Sequence, residues 1–249
     1  MAEYKRQQVE AALIDGHWRY GGLIHQKAAE ALLAALKDEP SDPATGHALA
    51  ARLFGEYAAA LETHGAWAWA LRNRFERESF IDAYLDYTNR DVSEFYAVVR
   101  DHTGDLVDLL NVPRPQRLDE IAQAKFPEML SEGESFAEGF AARYERLKKA
   151  SELYFGHDRV LIDTYNKTKH GAPMVQLIEP DNHRRFEFVV PNRSKSGDDR
   201  YSLATFLLDK TLIETLENNV SSMTMSITEL AGLTRLLDMF GLLYEREDT

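Results

Sequence analysis

The fold is decided by residues 53–71, which read LFGEYAAALETHGAWAWAL. Their large apolar residues recur mostly every three or four positions, and this spacing is the period of an α-helix with one apolar face. The pattern extends outward from about residue 44 to about residue 77, interrupted by Gly55 and Gly65. Asp42 and Pro43 suit the N-cap and the first position of a helix. The stretch therefore predicts one long helix.

Helical patterns with the same apolar spacing lie on both sides of this stretch. In the first of them, Gly21 and Gly22 are expected to break the helix. In the region that follows residue 80, a break is expected near Asn89 or Gly104, and the sequence NVPRP ends the helix. Helices are predicted over about residues 3–37, 80–110, 116–130, 136–155, 158–171, 202–219 and 227–246.

The β signal of the chain comes after these central helices. MVQLIE and RFEFVV flank the turn-forming PDNHR, which predicts a hairpin over about residues 174–190, followed by a polar loop. The predicted fold class is therefore mainly α, a helical bundle with one small β-hairpin insert near 174–190. A single domain over 1–249 is favoured. The alternative is an N-terminal helical subdomain, 1–111, followed by a helical region with the hairpin, 116–249.

The composition is that of a folded globular protein, since 44% of the 249 residues are apolar and 28% are charged. The absence of cysteine excludes disulfides, a thiol nucleophile and cysteine-ligated metal sites. The N-terminal residues lack the apolar core of a signal peptide, and no run approaches the roughly 20 apolar residues of a membrane span. We therefore expect a cytoplasmic protein without a membrane partner.

The net charge of −12 argues against broad, non-specific attraction to nucleic acid or to anionic lipid. The charge is unevenly distributed, however. Residues 143–200 hold 12 Lys or Arg and 9 Asp or Glu, whereas the rest of the chain is strongly acidic. This net-positive part is either a solvated face or the surroundings of a site.

The net-positive part contains YNKTKHG, residues 165–171, on the helix that Asp158 would cap. At 100° per residue, Asn166 and His170 fall on one polar stripe with Arg159 and Asp163. A simpler interpretation is also available. Cations in a last turn, followed by a glycine and then a proline, are typical of an ordinary helix C-terminus.

The heptapeptide resembles the motif of the HEPN superfamily (higher eukaryotes and prokaryotes nucleotide-binding). In these helical bundles an arginine, a polar residue that is often asparagine, several further residues and a histidine lie on a late helix. Asn166 and His170 match the polar and histidine positions of the motif. Tyr165 stands where the family has its arginine. The resemblance covers about 40 residues, from 136 to 173.

The resemblance implies a homodimer in which the motif helices of two protomers meet, with RNA or a nucleotide as the ligand. Many members are metal-independent ribonucleases, in which the RNA 2′-hydroxyl attacks the adjacent phosphate. In such a mechanism His170 would be the general acid or base, and Asn166 would orient the phosphate. The candidate RNA- or nucleotide-binding residues are Arg159, Tyr165, Lys167, Lys169, Arg184 and Arg185.

The tyrosine at the arginine position leaves enzymatic activity open, because tyrosine stabilises developing phosphate charge poorly. Arg159 lies eleven residues before His170, or about 16 Å along a helix, so it would reach only His170 of the partner subunit, across an antiparallel helix pair. The alternative is a non-catalytic helical interaction or scaffold protein, also a homodimer, in which YNKTKHG only ends a helix.

Other patterns point away from metal or cofactor chemistry. None of the histidines has the glutamate three residues earlier that a di-iron helical site needs, and no phosphate-binding glycine loop is present, so we expect no cofactor and no metal. RNRFER, which begins at Arg72, is interpreted as the basic face of a helix. Trp67 and Trp69 are candidates for stacking or partner binding, but residues two apart do not share a helix face, so at least one is expected in the core.

Overall fold

The computed structural model describes residues 5–38, 43–101, 104–129, 136–155, 174–178, 184–193, 199–207 and 210–245. This part of the chain is mainly helical, which confirms the predicted class. The helices are α1 (Arg6–Lys37), α2 (Pro43–Asn73), α3 (Phe80–Leu85), α4 (Asn89–Asp101), α5 (Leu106–Leu110), α6 (Pro115–Lys125), α7 (Ala137–Phe155) and α8 (Lys210–Phe240). Short 3-10 turns, Arg74–Glu76 and Pro127–Met129, follow α2 and α6. The strands between α7 and α8 are β1 (Met174–Ile178), β2 (Arg184–Arg193) and β3 (Asp199–Leu207).

Helix α2 confirms the interpretation of the central stretch. It begins at Pro43 and runs for 31 residues to Asn73, where the 3-10 turn takes over. The apolar residues that set the helical period are almost completely buried: Leu53, Tyr57, Leu61, Trp67 and Leu71. The spacing of large side chains therefore determined both the helix and its buried face.

Helix α1 is continuous, so the predicted break at Gly21 and Gly22 is wrong. Gly22 instead allows close contact with α8. A Cβ atom at this position would lie 2.6 Å from the Thr224 backbone oxygen and 3.0 Å from the Thr228 hydroxyl. The glycine is needed for helix packing, and the backbone hydrogen bonds of α1 continue through it.

The region after residue 80 forms three short helices where two pieces were predicted. Ser79 caps α3, since its hydroxyl accepts a hydrogen bond from the Asp82 amide at 3.2 Å. Asp105 caps α5 in the same way, accepting from the Asp108 amide at 3.1 Å. Asn111, with a left-handed φ of 52°, then ends α5. Ser79 and Asp105 therefore mark the starts of α3 and α5, and Asn111 marks the end of α5.

The predicted small hairpin over 174–190 is replaced by a three-stranded antiparallel sheet with the order β1-β2-β3. Strand β1 pairs with the first half of β2, from Met174↔Phe188 to Ile178↔Arg184. Strand β3 pairs along the whole of β2, from Arg185↔Leu207 to Arg193↔Asp199. Large and small residues alternate in β3 only from Tyr201 to Ala204, and a helix was predicted from residue 202.

Helix α8 is one element of 31 residues, whereas two helices were predicted over about 202–219 and 227–246. The interval between the two predicted helices contains VSSMTMS, which is rich in small polar residues. Val220, Met223 and Ile227 are nevertheless buried at three- and four-residue spacing, so the apolar stripe continues through the segment. The helical spacing of the buried apolar residues therefore keeps this segment in one helix, although most of its other residues are polar.

The chain divides into two compact units, and each is discontinuous in sequence. The first unit contains Met1–Leu23, Leu61–Gly156 and Met223–Thr249, and the second contains Ile24–Ala60 and His157–Ser222. The boundaries fall inside α1, α2 and α8. The prediction of one domain, or of a division between 111 and 116, remains a prediction.

Trp67 lies at the centre of the first unit and is completely buried. Its indole N–H donates to the Thr234 hydroxyl of α8 at 2.9 Å. The His17 ring of α1 stacks on it at 3.9 Å, and the Phe80 and Tyr84 rings of α3 contact it edge to face at 4.8 and 5.0 Å. One large aromatic residue of α2 therefore joins three other helices.

Arg74 is completely buried, so the prediction that RNRFER forms a basic surface is wrong at this residue. Its guanidinium donates to the backbone oxygens of Leu71, Leu110, Asn111 and Leu243, and it lies 4.1 Å from the Phe75 ring centre. Burial lowers the pKa of Arg74 to about 10, which still leaves the group charged at neutral pH.

The chain after α8 is held against α1 and α3 by Tyr244. Its hydroxyl donates to the Glu10 carboxylate at 2.7 Å and accepts from the Phe80 amide at 2.6 Å. Glu10 also accepts from the Ile81 amide at 3.0 Å. Two amides at the start of α3 therefore obtain partners from opposite ends of the described chain.

In the second unit, α1 and α2 contribute a His25–Glu56 contact of 3.4 Å, and α1 and α8 contribute a Lys37–Glu217 ion pair of 3.6 Å. Its buried apolar residues include Leu33, Leu53 and Tyr57. Among the helices in the described ranges, none combines the length and the apolar character that a membrane crossing requires.

We predict that Gly22→Ala lowers the free energy of unfolding by about 2 kcal/mol, because a methyl group would collide with backbone that cannot turn away. Gly16 is the matched control on the same helix, since a Cβ atom there meets nothing within 4 Å. Gly16→Ala should raise stability by up to about 1 kcal/mol through helix propensity. Urea unfolding compares the variants, and equal stability for both would contradict the close approach of α1 and α8.

We predict that Arg74→Met lowers the free energy of unfolding by about 4 kcal/mol, since buried carbonyl groups would lose their donor. Arg90→Met is the control. Arg90 is exposed and pairs with Glu94 of its own helix at 2.7 Å, so its loss should cost less than about 1 kcal/mol. Chemical denaturation measures both changes. A small effect at Arg74 would show that the carbonyl groups find other donors.

Candidate functional site

The residues predicted to carry the chemistry fall mainly outside the part of the chain that the structure describes. This holds for the catalytic candidates Asn166 and His170, and for the candidate ligand-binding residues Arg159, Tyr165, Lys167 and Lys169. Their roles therefore remain predictions from the sequence.

Arg184 and Arg185, predicted at the turn of a hairpin, are the first two residues of β2. The register pairs Arg184 with Ile178, and it pairs Arg185 with Leu177 on one side and Leu207 on the other. The backbone thus fixes these two positions at one end of the sheet. Their role in binding RNA or a nucleotide stays a prediction.

The two tryptophans proposed for stacking or partner binding behave as the helical geometry predicts. Trp67 belongs to the core, as described above, and this confirms that at least one of the pair is buried. Trp69, two residues later, is partly exposed, and its backbone oxygen accepts from the Asn73 side chain at 2.9 Å. Trp67 is therefore not available to a ligand.

His64 of α2 is a buried polar group that the sequence did not single out. Its Nε2 lies 2.9 Å from the Ser226 hydroxyl of α8, in the same unit. Burial lowers the pKa of His64 to about 4, because charging the ring far from water is unfavourable. The imidazole is neutral at physiological pH and links two core helices.

Metal ligation finds no support in the described ranges, where no three His, Asp or Glu side chains are grouped closely enough to hold an ion. The buried carboxylate of Glu10 is used instead by Tyr244 and the Ile81 amide.

A cluster of arginines around Trp18 forms a partly exposed surface of the first unit. Arg235 of α8 lies over the Trp18 ring, 4.2 Å from its centre, and Arg19 lies 5.9 Å from it. The Asp15 carboxylate bridges both arginines through their Nε atoms, at 2.8 Å to Arg19 and 3.3 Å to Arg235. One carboxylate is thus shared by two cations.

Helix α7 adds a second pair of arginines to this surface. Arg143 Nε lies 2.7 Å from one Glu229 oxygen, and Arg146 Nη2 lies 3.4 Å from the other. Gly232 of α8 connects the two pairs, because both Trp18 and Arg143 lie within 4 Å of the point where a side chain would begin. We call this surface the arginine face: Trp18, Arg19, Arg143, Arg146, Gly232 and Arg235, with Asp15 and Glu229.

The arginine face carries four guanidinium groups against two carboxylates, a local excess of positive charge in a chain of net charge −12. This surface was hard to predict from the sequence, because its residues come from α1, α7 and α8. Only Arg143 and Arg146 lie in the net-positive part of the chain. Helix packing brings the remaining residues to them.

We predict that the buried state of His64 makes stability depend on pH. The folded pKa lies below the unfolded value of about 6.5, so stability is fully present above that value and falls as the pH falls toward 4, by about 3 kcal/mol. His64→Gln keeps a polar group near Ser226 and should lose this part of the pH dependence. Urea unfolding across this pH range tests the difference, and identical pH profiles for parent and variant would contradict it.

Comparisons of the chain with protein-family models, curated proteins and solved structures gave no match. A function for the protein is therefore inferred from its own residues and their geometry.

Proposed function

We propose that the protein is a HEPN-like helical protein that binds RNA or nucleotides through the segment carrying Asn166 and His170. The observation that supports this is their spacing, since residues four apart on a helix present side chains to the same side. Lys167 and Lys169 add positive charge in the same two turns. An imidazole, an amide and two ammonium groups are suited to a phosphate ligand.

The reaction that this set suits is cleavage of RNA without a metal. The 2′-hydroxyl oxygen attacks the adjacent phosphorus and loses its proton to a base, the bond to the 5′-oxygen breaks, and that oxygen takes up a proton. The products are a 2′,3′-cyclic phosphate and a 5′-hydroxyl end. An imidazole with a near-neutral pKa can move either proton, which is the role we propose for His170.

A dimer would supply the cation that the segment lacks. Tyr165 occupies the arginine position, and Arg159 is too far along its own helix to reach His170 of the same protomer. In an antiparallel pair of these helices, Arg159 would lie near His170 of the partner subunit. The proposed site is therefore composite, and it would lose activity on dilution to monomers.

The described residues support the proposal indirectly. Glu10, His64 and Arg74 are buried ionisable groups, and each one is hydrogen-bonded to other parts of the first unit. These hydrogen bonds hold the fold together, so no catalytic role is needed to explain why the three groups are buried. The polar segment 159–170 is therefore the better candidate for chemistry in this chain.

A second candidate is a helical interaction protein without nucleic-acid chemistry. The observation that favours it is the exposure of large apolar side chains in the first unit, with Tyr20 at 56% and Met225 at 66%. Apolar groups of this size on a surface often contact a partner protein. In that case the segment 165–171 would only terminate a helix.

We predict that the protein cleaves single-stranded RNA in the absence of divalent metal and that His170→Ala reduces the rate by about 100-fold or more. Thr168→Ala is the matched control, because Thr168 lies on the opposite side of the predicted helix and should leave the rate unchanged. Electrophoresis of labelled RNA measures the rate, and circular dichroism checks folding.

Cleavage that survives in His170→Ala would reject the catalytic role. Binding of RNA without cleavage, weakened by His170→Ala but not by Thr168→Ala, would retain the binding function and remove the enzymatic one. If the parent protein neither binds nor cleaves RNA or nucleotides, the interaction protein is the better description.

A further inference from the structure

We infer that the arginine face is a phosphate-binding site, centred on the bare backbone at Gly232. It belongs to the first unit and does not involve residues 159–170, so it stands apart from the function proposed above. Its ligand class is a phosphate group, carried either by an RNA backbone or by a free nucleotide.

The centre of the site is the gap that Gly232 leaves on α8. The Cδ1 and Nε1 atoms of Trp18 both lie 3.4 Å from the position that a Cβ atom would take, and Arg143 Nη2 lies 3.9 Å from it. An indole nitrogen and a guanidinium nitrogen therefore lie near the same point. Both groups are hydrogen-bond donors and neither accepts, so the gap is suited to an oxyanion.

The arginines retain donors for such a ligand. Arg143, Arg19 and Arg235 each meet their carboxylate through Nε, and each guanidinium also carries two terminal nitrogens, Nη1 and Nη2. These two terminal nitrogens are the fork that holds a phosphate by two parallel hydrogen bonds. Three such forks lie on one surface.

The carboxylates and the tryptophan hold the arginines in place before a ligand arrives. Asp15 fixes Arg19 and Arg235 together, Glu229 fixes Arg143 and Arg146 together, and the Trp18 ring supports Arg235 from one side. The side chains remain accessible, with Arg143 and Arg235 about one third exposed. Preorganised donors at the surface lose less conformational entropy on binding.

The charge balance favours phosphate over a neutral ligand. Four guanidinium groups and two carboxylates leave an excess of two positive charges, enough to match one or two phosphodiester groups. The strongly acidic remainder of the chain opposes any wider attraction to a polyanion. Binding should therefore involve few phosphates and have a modest dependence on salt.

The experiment uses the full chain with three probes: a labelled oligouridine RNA followed by fluorescence anisotropy, and ATP and inorganic phosphate followed by calorimetry. The double variant Arg143→Gln, Arg235→Gln should weaken binding by about tenfold or more, because two charged donors are lost. Arg90→Gln is the matched control, since Arg90 also meets a glutamate through Nε but lies on α4, outside the arginine face.

Two substitutions at Gly232 test the centre of the site directly. Gly232→Glu places a carboxylate among the donors and should abolish binding, whereas Gly232→Gln has the same size without the charge and should reduce binding less. Circular dichroism and urea unfolding check that each variant is folded. Binding of RNA alone identifies a polynucleotide as the ligand. Binding of both RNA and ATP identifies the phosphate group of a nucleotide as the ligand. Either result supports the site.

Two results would overturn the inference. One is the absence of binding of all three probes by the parent protein. The other is unchanged binding in both the double arginine variant and Gly232→Glu, even where His170→Ala weakens it. The second result would leave the function proposed for residues 159–170 intact, and loss of binding in the face variants with unchanged RNA cleavage would support the arginine face alone.

Discussion

The guanidinium of Arg74 meets four backbone oxygens at the ends of helices, and no carboxylate of the described chain. Leu71 belongs to the last turn of α2, Leu110 and Asn111 to the end of α5, and Leu243 to the segment after α8. The last carbonyl groups of a helix have no partner within the helix and carry partial negative charge. One buried cation therefore satisfies carbonyl groups at the ends of α2 and α5 and in the segment after α8.

Much of this architecture could be predicted, because it depends on the regular spacing of apolar side chains along the sequence. The helices around Trp67 follow from side chains three or four residues apart. What could not be predicted depends on distant contacts. Gly22 looked like a helix break because nothing in α1 shows that α8 passes within contact distance of it. Arg74 looked like a surface residue because its partners lie up to 169 positions away. The third strand was missed because its residues were assigned to a predicted helix.

The two candidate sites differ in the same respect: one depends on residues that are close in sequence and the other on contacts between distant residues. Asn166 and His170 could be selected because their chemistry is concentrated in two turns of sequence. The arginine face gave no comparable signal, because Trp18, Arg143 and Arg235 are more than 90 residues apart along the chain and meet only through the packing of α1, α7 and α8. A local cluster of polar residues is visible in one sequence, whereas a cluster assembled by tertiary structure is not.

The contact of Tyr244 with Glu10 and Phe80 has a consequence for the order of folding. The first unit draws on the beginning, the middle and the end of the chain, so it cannot be complete until residue 244 has left the ribosome. Until then α3 lacks a partner for its Phe80 amide, and Arg74 lacks the Leu243 carbonyl. Native contacts of such long sequence separation form late and slowly, and the nascent chain therefore exposes much of its core throughout translation.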